Sequence, residues 1–257
     1  MRALALHGFL GRGADWDAFA AAVDLPGLEL DRPDLPGHGP HPRPVPPHFA
    51  AWVQWLEERL HMATAPVHLL GYSLGGRLAL ALALAEACTG KVASLTVLGA
   101  SCGLASHDER RARAAADGEL AAALERDGLA PFLDRWYRQP LFAPACRTYG
   151  HAALVASRGQ GQAGPLAAAL RASGTGAMPN LRPGLGCLRI PVLALAGTLD
   201  PKFCALGQEI AAGAPRGQLR TVDGAGHALL LEAPGTCARL WTEFINRHAN
   251  PARTCHE

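Results

Sequence analysis

Residues 69–77 read Leu-Leu-Gly-Tyr-Ser-Leu-Gly-Gly-Arg, and this stretch decides the fold. The apolar run before it, VHLLGYS (67–73), has the length of a buried strand. The run after it, LGGRLALALALAEA (74–87), has the extent of an apolar helix. Between them Gly71-Tyr72-Ser73-Leu74-Gly75 fits G-x-S-x-G, a sharp strand-to-helix turn. Flanking glycines leave room there for a serine in strained geometry, its hydroxyl exposed at the carboxyl edge of a sheet. In a chain with 29 glycines the pentapeptide alone is a weak signal. The strand before it and the helix after it make it specific.

Working outward, ALALHG (3–8), LELDRPDLPGHG (28–39), VASLTVLGAS (92–101), PVLALAGTLD (191–200) and LRTVDGAGH (219–227) each begin as a strand and run into a loop. Helical spacing marks PHFAAWVQWLEERLHM (47–62) and TCARLWTEFINRH (236–248). Alternation of apolar strands with helices predicts a mostly parallel α/β sheet covered on both faces. Residues 102–185 break the alternation: helical stretches near 106–126, 128–137, 144–156 and 163–172, and no strand. The expected organisation is a core of 1–101 and 186–257 with an all-helical cap, 102–185, inserted after the fourth strand. The Pro-rich PHPRPVPPH (40–48) reads as an extended surface loop.

Composition narrows the function classes. The net charge of +2 and the scattered basic residues argue against nucleic acid as a partner. Of 24 basic residues only Lys91 and Lys202 are lysines, which leaves many planar carboxylate-binding arginines. Seven cysteines without a C-x-x-C pair predict reduced thiols rather than a zinc site or a disulfide framework. With no uninterrupted membrane-length apolar run and no signal-peptide pattern, the expectation is a cytoplasmic protein, monomeric or a small homo-oligomer, without a membrane partner.

A serine hydroxyl needs a neighbouring imidazole to take its proton. The elbow motif expects an acid and then a histidine downstream. Asp200 ends one strand, and His227 sits in the loop after the next, so the fold brings both to Ser73. Asp223 is the rival acid, but it precedes the Gly-Ala-Gly turn. The Leu74 N–H, opening the elbow helix, and the Phe9 N–H, in the loop His7–Gly11, are the expected donors for an anion forming on substrate oxygen. His38 and His7 read as loop-bracing side chains. Arg77, four residues after Ser73, shares its helical face. Beside a nucleophile, a guanidinium suits a substrate bearing carboxylates, which it binds bidentately.

In this order LHGFLG, DLPGHG, GYSLGG, GTLD and GAGH resemble the α/β-hydrolase superfamily over the whole chain. That family ordinarily has two antiparallel strands ahead of the HGF strand, on which this sequence almost begins. Within it, GYSLGGR, DERRARA (108–114), DRWYRQPLFA (134–143), LVASRGQGQAGPLAAALRASGTGAMPNLRP (154–183) and DPKF (200–203) resemble the 2-succinyl-6-hydroxy-2,4-cyclohexadiene-1-carboxylate synthases of menaquinone biosynthesis. The resemblance implies that Arg77, Arg113 and Arg158 hold substrate carboxylates and that Tyr72 and Trp136 line the pocket. GASCG (99–103) and the GQGQ after Arg158 depart from that pattern.

The activity implied is a lyase that eliminates pyruvate from 2-succinyl-5-enolpyruvyl-6-hydroxy-3-cyclohexene-1-carboxylate. Ser73, made basic by His227 and Asp200, would act as a base, and no metal or organic cofactor is called for. The alternative is a serine esterase or C–C hydrolase that attacks a carboxylate-bearing substrate through an acyl-enzyme. A pure ligand-binding protein has no need for all three of Ser73, Asp200 and His227. The same three residues serve either chemistry, so the cap arginines must discriminate.

Overall fold

A computed structural model describes residues 1–40, 42–85 and 90–249. Its centre is a six-stranded sheet: β1 (Arg2–Leu6), β2 (Glu29–Asp31), β3 (Val67–Tyr72), β4 (Val92–Leu98), β5 (Val192–Gly197) and β6 (Gly217–Val222). The strand order is β2-β1-β3-β4-β5-β6. Every pairing is parallel, so all strand carboxyl ends face one edge.

The period-2 alternation of a strand divides the apolar residues between two cores. On one face Leu4, Leu6, Val67, Leu69, Val192 and Ala194 pack with Trp52 and Leu56 of α2 (Phe49–His61), Leu78 of α3 (Leu74–Leu84) and Ile210 of α9 (Pro201–Gly213). On the other, Ala3, Ala5, Leu70, Leu193 and Leu195 meet Phe19 of α1 (Asp17–Ala22), Leu229 of α10 (Leu229–Glu232), and Trp241 and Phe244 of α11 (Pro234–Ala249). Trp52 and Trp241 are fully buried, and each large apolar side chain withdrawn from water contributes about 2–3 kcal/mol.

Between β4 and β5 lies the predicted helical insertion. Its elements are α4 (His107–Asp127), α5 (Leu129–Tyr137), α6 (Ala143–Tyr149), α7 (His151–Ser157) and α8 (Ala163–Ser173). A capping box starts α4: the Ser106 hydroxyl accepts from the Glu109 N–H and the Glu109 carboxylate accepts from the Ser106 N–H. The cap has a small core of its own, Phe132, Leu133, Tyr137, Leu154, Leu166 and Leu170, seated on Leu10 and Ala228 of the sheet domain.

The structure differs from the sequence expectations in a few places. The single helix expected near 144–156 is two, broken at Gly150, whose φ of 80° suits glycine. The elbow helix ends at Leu84, and residues 86–87, expected to extend it, lie outside the described residues. Helix α9 was not expected, although Asp200 caps it through the Phe203 N–H and Pro201 opens it. Among the described residues no helix is long and apolar enough to cross a membrane. Cys102, Cys146, Cys187, Cys204 and Cys237 are free thiols; Cys88 and Cys255 lie outside the described residues.

Candidate active site

Ser73 joins β3 to α3 with φ 51° and ψ −106°, a combination rarely adopted outside glycine. The turn closes because its neighbours lack side chains. A Cβ on Gly75 would lie 2.1 Å from the Leu6 carbonyl oxygen, and one on Gly71 would lie 2.3 Å from the Gly75 carbonyl oxygen. Ser73 is anchored by its own N–H, which donates to Leu98 O at 2.9 Å.

His227, from the loop after β6, places Nε2 3.3 Å from Ser73 Oγ, while its Nδ1 lies 3.1 Å from Asp200 Oδ2. Both partners of the imidazole–carboxylate pair are buried. The Phe203 ring packs against the imidazole at 4.3 Å between centroids and the Tyr72 ring at 5.5 Å. Asp223, the rival acid, is exposed and accepts from the Thr198 hydroxyl at 3.3 Å. Of the two acids, Asp200 is the one placed against the His227 imidazole.

On the opposite side the turn Gly8–Gly11 is closed by Gly11 N–H donating to Gly8 O at 3.0 Å, with Leu10 at φ 64°. His7 braces it. Its Nε2 accepts from the Leu35 N–H at 2.9 Å, which leaves Nδ1–H to donate to Gly8 O at 2.8 Å. That tautomer is neutral, and burial lowers the His7 pKa to about 4. His38 stands beside it at 5.1 Å, and burial with the nearby His7 lowers its pKa to about 3. Phe9, held edge-on between His38 and Trp136, lines the same cavity as Leu74.

That cavity, about 750 Å³, lies between sheet edge and cap, a size suited to a small-molecule ligand. Arg77, Arg113, Arg158, Tyr72 and Trp136 all line it with Ser73 and His227, so the predicted set converges on one space. The arginines differ in their partners. Arg77 donates to the Ser173 carbonyl at 2.8 Å and touches Met178 Sδ. Among the described residues it has no carboxylate partner. Burial, with Arg113 nearby and Asp117 opposing, lowers its pKa to about 10, leaving it charged at neutral pH. Arg113 donates from Nε to Asp117 at 2.7 Å. Arg158 meets Asp15, Nη1 to Oδ2 at 2.6 Å, yet among the described residues its buried Nε has no partner.

Trp136 stacks on Phe132 at 5.6 Å, so it also packs the cap core. Tyr72 is half-buried in the pocket wall, and desolvation raises its pKa. Sequence reasoning missed Asp15, Asp117 and Phe203. Asp117 could have been found, standing one helical turn after Arg113. Asp15 lies 143 residues from Arg158 and carries no local signal.

Comparison with known proteins agrees with this architecture. Residues 3–240 match the model of the alpha/beta hydrolase family. The 2-succinyl-6-hydroxy-2,4-cyclohexadiene-1-carboxylate synthase of Salmonella agona (strain SL483) is 34% identical over 232 residues, covering 89% of this chain and 87% of that protein. The solved structure of MenH from S. aureus superposes with a TM-score of 0.90 at 26% identity, covering 97% of this chain and 95% of that one. A thermophilic esterase from Thermogutta terrifontis shares the fold, with a TM-score of 0.79 at 21% identity over 96% of this chain and 90% of that one. The chain belongs to the alpha/beta hydrolase family, and along most of its length it resembles the 2-succinyl-6-hydroxy-2,4-cyclohexadiene-1-carboxylate synthases.

Proposed function

We propose that the protein is a menaquinone-pathway lyase that eliminates pyruvate from 2-succinyl-5-enolpyruvyl-6-hydroxy-3-cyclohexene-1-carboxylate, giving 2-succinyl-6-hydroxy-2,4-cyclohexadiene-1-carboxylate. The observation that carries the reading is Arg77: a charged guanidinium one helical turn from Ser73, inside the cavity, with only a carbonyl and a thioether as partners among the described residues. Leaving a partly buried cation unpaired is costly unless a ligand supplies the anion. A substrate carboxylate answers that need, and a neutral ester does not.

In this reading His227 accepts the Ser73 proton, and Asp200 holds the imidazole in the required tautomer and steadies its charge. Ser73 Oγ removes a proton from the substrate ring. The electron pair moves into the ring alkene, the carbon–oxygen bond to the enolpyruvyl group breaks, and that group leaves as the pyruvate enolate, which takes up a proton to give pyruvate. Charge developing on the succinyl carbonyl is met by the Phe9 and Leu74 N–H groups, the latter reinforced by the positive end of α3. The 3.3 Å separation of Ser73 and His227 is within the range that tightens when substrate binds. Arg158 has a buried, unpartnered Nε to offer a second anionic group, with Tyr72 and Trp136 walling the ring. No step calls for a metal or organic cofactor.

The test is released pyruvate. Purified protein given the enolpyruvyl substrate is expected to release it, with Ser73→Ala inactive. Serine-dependent cleavage of a p-nitrophenyl ester without pyruvate would instead make the protein a hydrolase acting through an acyl-enzyme.

A further inference from the structure

Five basic side chains line the cavity: Arg77, Arg113, Arg158, Arg182 and Lys202. Three are paired to carboxylates, Arg113 with Asp117, Arg158 with Asp15 and Arg182 with Glu209. Among the described residues only Arg77 and Lys202 of the five lack one. Arg77 sits in the wall beneath the cap, against Ser173 and Met178. Lys202 is exposed, two residues beyond Asp200, and is therefore at the cavity opening. Its Nζ makes no hydrogen bond among the described residues and lies 5.8 Å from the centre of the Phe203 ring, whose neighbour is the His227 imidazole.

Two further facts set Lys202 apart. It is one of two lysines among 24 basic residues, and the other, Lys91, donates to the Ala63 carbonyl at 3.2 Å. It also occupies the second position of α9, a 13-residue helix. There the helix dipole disfavours a cation. A positive charge kept unpaired, at the wrong end of a helix and facing a cavity, is explained by something that binds there.

We propose that Lys202 is a further anion-binding residue of the site, so that of the ligand's carboxylates one is taken by Arg77 beneath the cap and another by Lys202 at the opening. The inference deepens the lyase reading and rests on its premise of an anionic substrate. The compact ammonium is strongly hydrated and suits a group that must also be released.

Two measurements test it. In the pyruvate assay Lys202→Met is expected to raise KM about tenfold, equivalent to about 1.4 kcal/mol. The change in kcat should stay below about threefold, and Lys202→Arg should recover most of the KM. The melting temperature of Lys202→Met should hold or rise, because a charge disfavoured by the helix has gone; a merely structural lysine would lower it. An unchanged KM, or a fall in kcat together with melting temperature, overturns the proposal. The second measurement does not depend on the lyase chemistry: calorimetric binding of linear dicarboxylates from succinate to suberate, each against the monocarboxylate of equal chain length. The native protein is expected to favour a dicarboxylate at least tenfold, and Lys202→Met to lose that preference. A native protein without the preference, or a variant that keeps it, refutes the two-point site. Failure of the lyase reading would appear separately, as native protein that binds dicarboxylates yet releases no pyruvate.

Discussion

Arg77 and Asp200 show what a single side chain can decide. Arg77→Ala should lower kcat/KM for the enolpyruvyl substrate by about a hundredfold or more while leaving the melting temperature near the native value. A charge-assisted hydrogen-bond pair in a partly buried site is worth about 2–3 kcal/mol or more. Arg77→Lys should recover only part, because a point charge does not reproduce a two-pronged contact. Asp200→Asn is expected to reduce kcat by about three orders of magnitude, since the amide favours the wrong imidazole tautomer. Asp223→Asn, altering an exposed carboxylate whose partner is Thr198, should leave kcat within about twofold. Steady-state kinetics on the four variants checks both statements. Asp200 was placed near Ser73 because it closely follows an apolar strand at the carboxyl edge of the sheet, although β5 itself ends at Gly197. The partners of Arg158 and Arg77 were not legible. Asp15 and the Ser173 carbonyl are brought in by chain folding over distances that no local pattern reports.

Among the elements, the elbow was read most securely, because its geometry leaves few alternatives. Gly75→Ala would press a methyl group into the Leu6 carbonyl oxygen, backbone that cannot yield cheaply. We expect a loss of at least about 3 kcal/mol in urea unfolding, or failure to accumulate as folded protein, well beyond the roughly 1 kcal/mol typical of a point change. Helix α9 went unread although its signals were present: a capping aspartate and a proline at the first position. Asp200 serves two masters, since Oδ1 accepts the Phe203 N–H while Oδ2 faces His227. An N-cap aspartate ahead of Pro201 was the alternative reading of Asp200, and the structure gives it that cap as well. Helix α1, six residues long, is too short for periodicity to declare. The break at Gly150 between α6 and α7 was overlooked for the opposite reason, since apolar spacing continues across it.

At the scale of the molecule, polar ties add to the apolar seat of the cap on the core. Asp15 with Arg158, Arg12 with Gln160 at 2.8 Å, and Gln162 with the Pro40 carbonyl at 3.2 Å all bind the segment after α7 to the loops beside Phe9. Beneath them lie the two neutral histidines. In the unfolded chain each imidazole takes up a proton near pH 6.5; in the folded chain His7 resists until about pH 4 and His38 until about pH 3. Within that interval the unfolded state binds more protons. The stabilisation is therefore complete above pH 6.5 and is lost as pH falls toward 4. Each pH unit separating the folded and unfolded values corresponds to about 1.4 kcal/mol. The loss should therefore reach a few kcal/mol, seen as a falling urea midpoint between pH 7 and pH 4.5. His38→Asn, which keeps a donor for the Pro36 carbonyl but cannot titrate, should flatten the slope. The parallel sheet and the cap's place in the chain were legible from alternation alone. The burial that neutralises these histidines belongs to the assembled whole.

The backbone angle at Ser73 has a consequence for anyone breeding variants of this protein. A non-glycine residue at φ 51° and ψ −106° holds strain of about 1–3 kcal/mol, somewhat more than the entropy that glycine loses on folding. Ser73→Gly should therefore melt no lower than the parent, and above Ser73→Ala, which keeps the strain. Libraries sorted for heat resistance or soluble yield alone will drift toward glycine at this position and enrich robust clones without a hydroxyl. Only a screen that asks for turnover in every round holds the serine in place.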